Sequence, residues 1–295
     1  ELYLEQLKDV LIGGIYNETY EMLENGGPTC ASESSLGFKF LINYILFPYQ
    51  IYIVCEGLTE LSKNHKRKLA ILEKSGRGRH PCLAEKLQGA LCLGLIAMQV
   101  YFKIKTRSVM FIFNPCHFVT LLFGLASLLP FSFASQLITI FAMSSTFGAW
   151  IGIVFAEIND LYTTIEVVMF YVQHSFAAVI APLVLFWGGR YTPSESAHWP
   201  LPLFGFTMFC LYMRYLLMPM AAYSWVNLNH TLCGVDNDPW RKGFQMGPYY
   251  YFWSEFYLTP CALTFFYVNY LLGRLFFRDR FKEEMEAFHK RQKQK

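Results

Sequence analysis

An all-α, polytopic membrane bundle of about seven helices is the fold this sequence predicts. Three observations carry that expectation: an apolar composition, the length and spacing of the apolar runs, and the segregation of basic residues. Of 295 residues, 54% are hydrophobic, 18% aromatic and only 16% charged, far from the balance of a soluble globular chain. Runs approaching the roughly 20 residues a helix needs to cross the hydrocarbon layer fall near 36–58, 87–104, 109–129, 133–155, 165–187, 201–224 and 250–273.

The basic residues orient those runs. Lys63, Lys66, Arg67, Lys68, Lys74, Arg77, Arg79 and Lys86 lie between the first two, and eight more of the 25 Lys and Arg follow residue 273. Positively charged flanks stay on the cytoplasmic side. The sequence therefore predicts one membrane domain with residues 1–35 outside or lumenal, a bundle over 36–273 and a cytoplasmic tail over 274–295. Lys103, Lys105 and Arg107 count against this, since they sit in a loop placed outside; three charges do not outweigh sixteen. The first residues, ELYLEQLKDVL, are acidic and amphipathic rather than a signal peptide, so the first run is expected to act as its own membrane signal.

Phe277, Phe281, Met285 and Phe288 recur at helical spacing in the tail, as in a helix lying on the anionic inner leaflet. The YYYFW stretch at 249–253 reads as an interfacial aromatic belt. The net charge of +3 is absorbed by the cytoplasmic segments, so no nucleic-acid partner is expected, and no obligatory protein partner is evident. The expected compartment is the endoplasmic reticulum, Golgi or another endomembrane.

On the outer side fall both N-glycosylation patterns, at Asn17 and Asn229, although such triplets also arise by chance. Of eight cysteines, Cys55, Cys92, Cys210 and Cys261 lie in apolar runs as small packing residues, and Cys82 is cytoplasmic and reduced. Cys30 and Cys233 are the two in outer extramembrane sequence, and a disulfide between them is expected.

The third run carries FNPCHFVT, residues 113–120. Asn favours the N-cap and Pro the first helical position, so Asn114 is expected to cap a helix with Cys116 in its first turn. Helix N-termini favour a thiolate. If the preceding SVMFIF is also at membrane depth, the third span is a broken helix, tolerated where it lines a cavity. A thiolate nucleophile needs a base, usually His. His117 points about 100° away from its neighbour, whereas His174, at about 14 Å depth against about 10 Å for Cys116, lies within reach. The plainer alternative is a packing thiol and a hydrogen-bonding His. Intramembrane Glu166, Arg214 and Glu255 are functional candidates by default, or they pair with one another.

The motifs NGGPTCA, NPCH, VQH, GGRYTPSE and VNLN leading to Cys233 stand in the same order and at similar spacing in the transmembrane protein 164 family, which this chain resembles over about 12–273. The resemblance implies a lipid acyltransferase. Cys116 would take a long, often polyunsaturated acyl chain from a donor phospholipid and pass it to a lysophospholipid, notably an ether-linked ethanolamine lysolipid, with His174 as its base. It also points to Asn159, Glu166, Asn227 and Asn229 as residues orienting the His or donating to an oxyanion. Asn114 and His117 are further supporting candidates. The cytoplasmic loop looks unlike the family's, and a glycan on Asn229 would keep that residue out of an active site. No metal or other cofactor is expected, for there is no phosphate-binding glycine loop and no His/Asp/Glu set sufficient for zinc.

Rival classes are a seven-helix receptor, which would need an E/DRY-like end to the third run and an NPxxY in the seventh, and a transporter, which would be expected to show an inverted repeat. None of these features is detectable. A lipid hydrolase with the same Cys/His pair remains the alternative, because water and a lysolipid hydroxyl compete for one thioester.

Overall fold

The computed structural model describes residues 2–14, 26–74, 79–156, 158, 161, 163–191, 200–234 and 250–278, with 2–3, 74 and 250–255 by backbone alone. Regular structure among them is helical, apart from an isolated antiparallel bridge between Gly26 and Val226. Asn17, most of the tail from 279 onward, the TPSE part of the GGRYTPSE motif and the side chains of the aromatic stretch and Glu255 lie outside the described residues.

Two short helices, α1 (Leu2–Ile12) and α2 (Gly27–Ser32), precede the bundle. Helix α3 (Leu36–Lys74) has 39 residues, about 58 Å at 1.5 Å per residue, so it continues well past the apolar run and carries much of the basic segment expected as loop. Its Leu41, Tyr44, Ile45 and Tyr52 are all more than half exposed, an apolar face that suits lipid. Helix α4 (Leu83–Lys105) follows, with Cys82 and Glu85 closing its N-terminus. Next come a 3₁₀ turn (Val109–Phe113) and α5 (Pro115–Leu128).

The next three apolar runs are each one path with a break. Helices α6 (Phe133–Ser144) and α7 (Thr146–Val154) meet at Ser145. Helices α8 (Thr164–Ser175) and α9 (Ala181–Gly188) join through a π-turn, Phe176–Ile180. Helices α10 (Pro200–Tyr212) and α11 (Met218–Ser224) do so through Met213–Leu217. Helix α12 (Tyr250–Phe276) is the last.

Among the described residues, five segments are long and apolar enough to cross a membrane: Leu36–Glu73, Leu83–Lys105, Phe133–Val154, Thr164–Gly188 and Pro200–Ser224. The protein is an integral membrane protein. The run at 109–129 is not one continuous helix, because α5 has only 14 residues, about 21 Å of a layer near 30 Å thick. Helix α12 has the length, at 27 residues, but is not among the five.

The tightest pairing is α4 on α5. A Cβ at Gly89 would strike Leu128 and one at Gly124 would press on Cys92, the small-residue contact that lets membrane helices approach. Helix α3 packs on α10, α6 lies between α5 and α10, and α12 lies along α7. Phe123, Ala126, Ala142, Ala178 and Leu185 fill the central core.

Polar staples close both ends of α5. Beyond its C-terminus, Arg190 Nε donates to both Glu85 oxygens at 3.0 and 3.1 Å, and its other two nitrogens donate to the carbonyls of Leu129, Ala126 and Ser127. Gly188 leaves room for the Glu85 carboxylate, and Gly189, at φ 74°, ends α9 in the left-handed conformation.

Near its N-terminus, Cys30 and Cys233 form the expected disulfide. Asn227 shapes the loop leading to it, accepting from the Leu232 and Cys233 N–H groups and donating to the Cys233 carbonyl. Lys39 donates to the Thr231 and Leu232 carbonyls. This cap buries Met110 and Phe111 of the 3₁₀ turn together with Leu217, Leu228 and Leu232. Helix α1 is tied to it where Asp9 meets Arg107 at 2.9 Å.

Candidate functional site

The site forms where the third apolar run breaks. Asn114, at φ −57° and ψ 140°, ends the 3₁₀ turn, and Pro115, whose ring fixes φ and removes a donor anyway, starts α5. Cys116 is in the first turn, half-buried and outside any disulfide. The expected cap corrects in one respect. Asn114 stands at the N-cap position, but its side chain makes no capping hydrogen bond, and its Oδ1 is buried with no hydrogen-bond partner among the described residues. Its backbone carbonyl instead accepts from the N–H groups of His117 and Phe118.

Gln173, on α8, joins that turn to the rest. Its Nε2 lies 2.9 Å from the Cys116 carbonyl, 3.1 Å from His117 Nδ1 and 2.9 Å from Thr120 Oγ1. Its Oε1 accepts from Gln99 Nε2 of α4 at 3.2 Å. One turn further along α4, Lys103 Nζ lies 3.7 Å from Glu166 Oε1, with both side chains at most 3% exposed, and 5.3 Å above the Phe111 ring. Glu166 also closes the N-terminus of α8 by accepting from Thr163 N and Oγ1.

Lys103 is a buried partner of Glu166 rather than a charge in an aqueous loop, and Arg107 is paired with Asp9.

His174 follows Gln173 at the end of α8, just before the π-turn, a feature frequent at functional sites. Its Nδ1 lies 2.8 Å from the Phe170 carbonyl. A carbonyl only accepts, so Nδ1 carries the proton and Nε2 presents a lone pair. The Nε2–Cδ2 edge lies against Gly152 of α7, where an added Cβ would come within 2.9 Å of Nε2 and 2.6 Å of Cδ2. Tyr212 closes the other flank of α5: its hydroxyl donates to the Phe113 carbonyl at 2.6 Å and its ring stacks on Phe118 at 4.6 Å.

Of the residues singled out in the sequence, the structure gathers Cys116, His117, His174 and Glu166 on adjoining elements around Gln173 and Lys103. Asn227 and Asn229 belong to the disulfide cap. The Asn227 amide is committed to its own loop, and Asn229, at φ 45°, turns its Nδ2 toward Met213 Sδ at 3.6 Å. Asn159 lies outside the described residues. Arg214 pairs with Asn43, donating to its Oδ1 at 2.9 Å. Among the described residues, no three His, Cys, Asp or Glu side chains converge as metal ligands would.

Sequence reasoning passed over Gln99, Lys103, Thr120, Gln173 and Tyr212. Gln173 stood inside the quoted VQH, and Gln99 and Lys103 were polar residues at the end of an apolar run, the signal that marks them.

A chain of membrane-crossing helices with a buried polar cluster at a broken helix defines an integral membrane protein. Residues 39–272, most of the chain, match the TMEM164 family, and the chain belongs to that family. No solved structure matches it.

Proposed function

We propose that the protein is a phospholipid acyltransferase of the transacylase type, with Cys116 as nucleophile and His174 as acid–base. The observation that carries this reading is the His174 tautomer. Its Nδ1–H is engaged by Phe170 and leaves Nε2 as a proton acceptor, one residue from the Gln173 amide that grips the Cys116 carbonyl. An oriented imidazole lone pair and a thiol at a helix N-terminus, on two helices joined through Gln173, are the components an activated nucleophile needs.

The chemistry balances without a cofactor. His174 Nε2 takes the thiol proton, and the Cys116 sulfur attacks the donor ester carbonyl. The tetrahedral intermediate collapses with C–O cleavage, and the departing lysolipid oxygen takes the proton back from Nε2. The acceptor lysophospholipid hydroxyl then gives its proton to Nε2 while its oxygen attacks the thioester, and C–S cleavage returns the thiol. Long-chain phospholipids and lysophospholipids, ether-linked ethanolamine lysolipids among them, are the proposed substrates.

The same proposal includes a single domain of seven spans, with the N-terminus lumenal and the C-terminus cytoplasmic in an endomembrane. The basic segments flanking the bundle, the internal placement of Lys103 and a disulfide, which needs an oxidising compartment, support that orientation. A glycan belongs at Asn17 in this topology rather than at Asn229, whose Nδ2 faces Met213.

The test is detection of a hydroxylamine-labile acyl adduct after incubating purified protein with a labelled polyunsaturated phosphatidylcholine. The adduct is expected in the wild type, absent in Cys116→Ala, strongly reduced in His174→Ala, and discharged by added lysolipid. Discharge by water at the same rate with or without lysolipid would make the protein a hydrolase. No adduct in folded wild type would end the covalent reading.

A further inference from the structure

The hydrogen-bond directions around Gln173 follow from one atom whose chemistry is not negotiable. The Cys116 carbonyl can only accept, so the Gln173 group 2.9 Å from it must be the NH₂ end. That choice fixes the amide orientation, which distances alone would leave open. Gln173 Oε1 then faces Gln99, whose Nε2 donates to it.

Thr120 Oγ1 gives its single proton to the Cys116 carbonyl at 2.7 Å and so presents lone pairs to Gln173 Nε2 at 2.9 Å. The remaining neighbour of Nε2 is His117 Nδ1 at 3.1 Å. The two Nε2 hydrogens serve three neighbours, so one is shared, and a proton on His117 Nδ1 would meet an amide nitrogen that accepts nothing. Nδ1 is therefore bare, and a neutral imidazole with a bare Nδ1 carries its proton on Nε2. Lys103 and His174 are the other titratable groups that act on this ring.

We infer that Gln173 is a positioning residue that holds His117 as the neutral Nε2–H tautomer, giving the site one imidazole proton acceptor, His174 Nε2, and one imidazole proton donor, His117 Nε2. The two adjoining histidines are thereby made unlike by their partners: a carbonyl selects one tautomer and an amide NH₂ selects the other. His117 is excluded as the general base for its neighbour. Instead it supplies a neutral N–H of the type that stabilises a developing oxyanion. This use of the donor rests on the acyl-transfer reading; the tautomer does not.

The experiment is nitrogen NMR of ¹⁵N-histidine-labelled protein in lipid nanodiscs, with His117 assigned by its loss in His117→Phe, alongside the rate of Cys116 adduct formation. In the wild type, His117 is expected to show an unprotonated Nδ1 and a protonated Nε2. Gln173→Glu replaces the donor by a carboxylate and is expected to move the proton to Nδ1 and to slow adduct formation at least tenfold. Should that variant not fold, Gln173→Met removes the donor without adding charge, and His117 is expected to lose its single tautomer. A protonated Nδ1 in the wild type, or an unchanged tautomer in a folded Gln173 variant, overturns the inference. If wild type forms no adduct at all, the acyl-transfer reading fails while the spectrum still decides the tautomer.

Discussion

Two buried charged groups flank α5, and they differ in how completely their hydrogen bonds are satisfied. Beyond the C-terminus, all three Arg190 nitrogens donate, two of them to backbone carbonyls, and Glu85 accepts from Arg190 and from the Cys82 N–H. Near the N-terminus, Lys103 Nζ is buried with no hydrogen-bond partner among the described residues, 3.7 Å from Glu166, and the Asn114 Oδ1, two residues before Cys116, is likewise unmatched among them. Buried polar groups are nearly always satisfied where their task is to hold a fold. The saturated pair is a staple, whereas Lys103 stands in the polar cluster around Gln99 and Gln173.

Breaking the staple should give the largest effect. Arg190→Ala leaves Glu85 buried without its counter-charge at a helix start, which typically costs about 3–5 kcal/mol. The folded fraction in detergent and the midpoint of thermal unfolding should both fall sharply. An unfolding midpoint within a degree or two of wild type would show that the pair is not structural. The opposite outcome is expected at the other end, where Lys103→Met combined with Glu166→Gln removes both charges together and should leave stability nearly unchanged while altering adduct formation at Cys116.

The disulfide cap comes next. Cys30 and Cys233 are 203 residues apart, and removing such a cross-link costs about 2–5 kcal/mol. Cys30→Ser with Cys233→Ser should lower the unfolding midpoint by that equivalent, and reduction of the wild type should reproduce the drop. Equal midpoints with and without reductant would mean that the bond contributes nothing to the fold.

Gly152 tests the His174 end without replacing a polar side chain. Its Cβ would press on the imidazole edge of His174, and a displacement of about 1 Å at a reacting group can cost about a hundredfold in rate. Gly152→Ala should therefore cut the rate of adduct formation by about ten- to a hundredfold with the protein still folded. An unaltered rate would separate His174 from the chemistry.

These predictions draw on parts of the molecule that were unequally legible in the sequence. The helical membrane class followed from apolar runs, the disulfide from two cysteines sharing a side, and the break at 114–115 from Asn-Pro chemistry. The first and last of these are local signals, and the disulfide follows from which side of the membrane each cysteine is expected to occupy. The length of α3 was not legible, because its Lys-rich half is as good a helix former as it is a soluble loop. The π-turns after His174 and around Arg214 leave the same residues in the same order, so nothing in the hydropathy marks them. Lys103 was read as loop because charge pattern alone cannot show a partner 63 residues away. The tautomers of His117 and His174 depend on which atoms face which, and only Gln173 and the Phe170 carbonyl decide that.

Asn114 gives the smallest effect and the sharpest separation of roles. A working Ser, Thr, Asn or Asp cap is worth about 0.5–2 kcal/mol against Ala, and Ser132 and Thr163, whose side chains accept from Ser135 N and Glu166 N, should show that cost. Asn114 makes no such bond, so Asn114→Ala should change stability by less than about 0.5 kcal/mol, within the range of inert substitutions. Its buried, unmatched Oδ1 stands two residues from Cys116. If the side chain is retained for the reaction, adduct formation should fall severalfold in the same variant. A loss of stability equal to that of Thr163→Ala would instead restore Asn114 as a cap in the membrane-bound protein, and the contrast between the satisfied and unsatisfied ends of α5 would then rest on Lys103 alone.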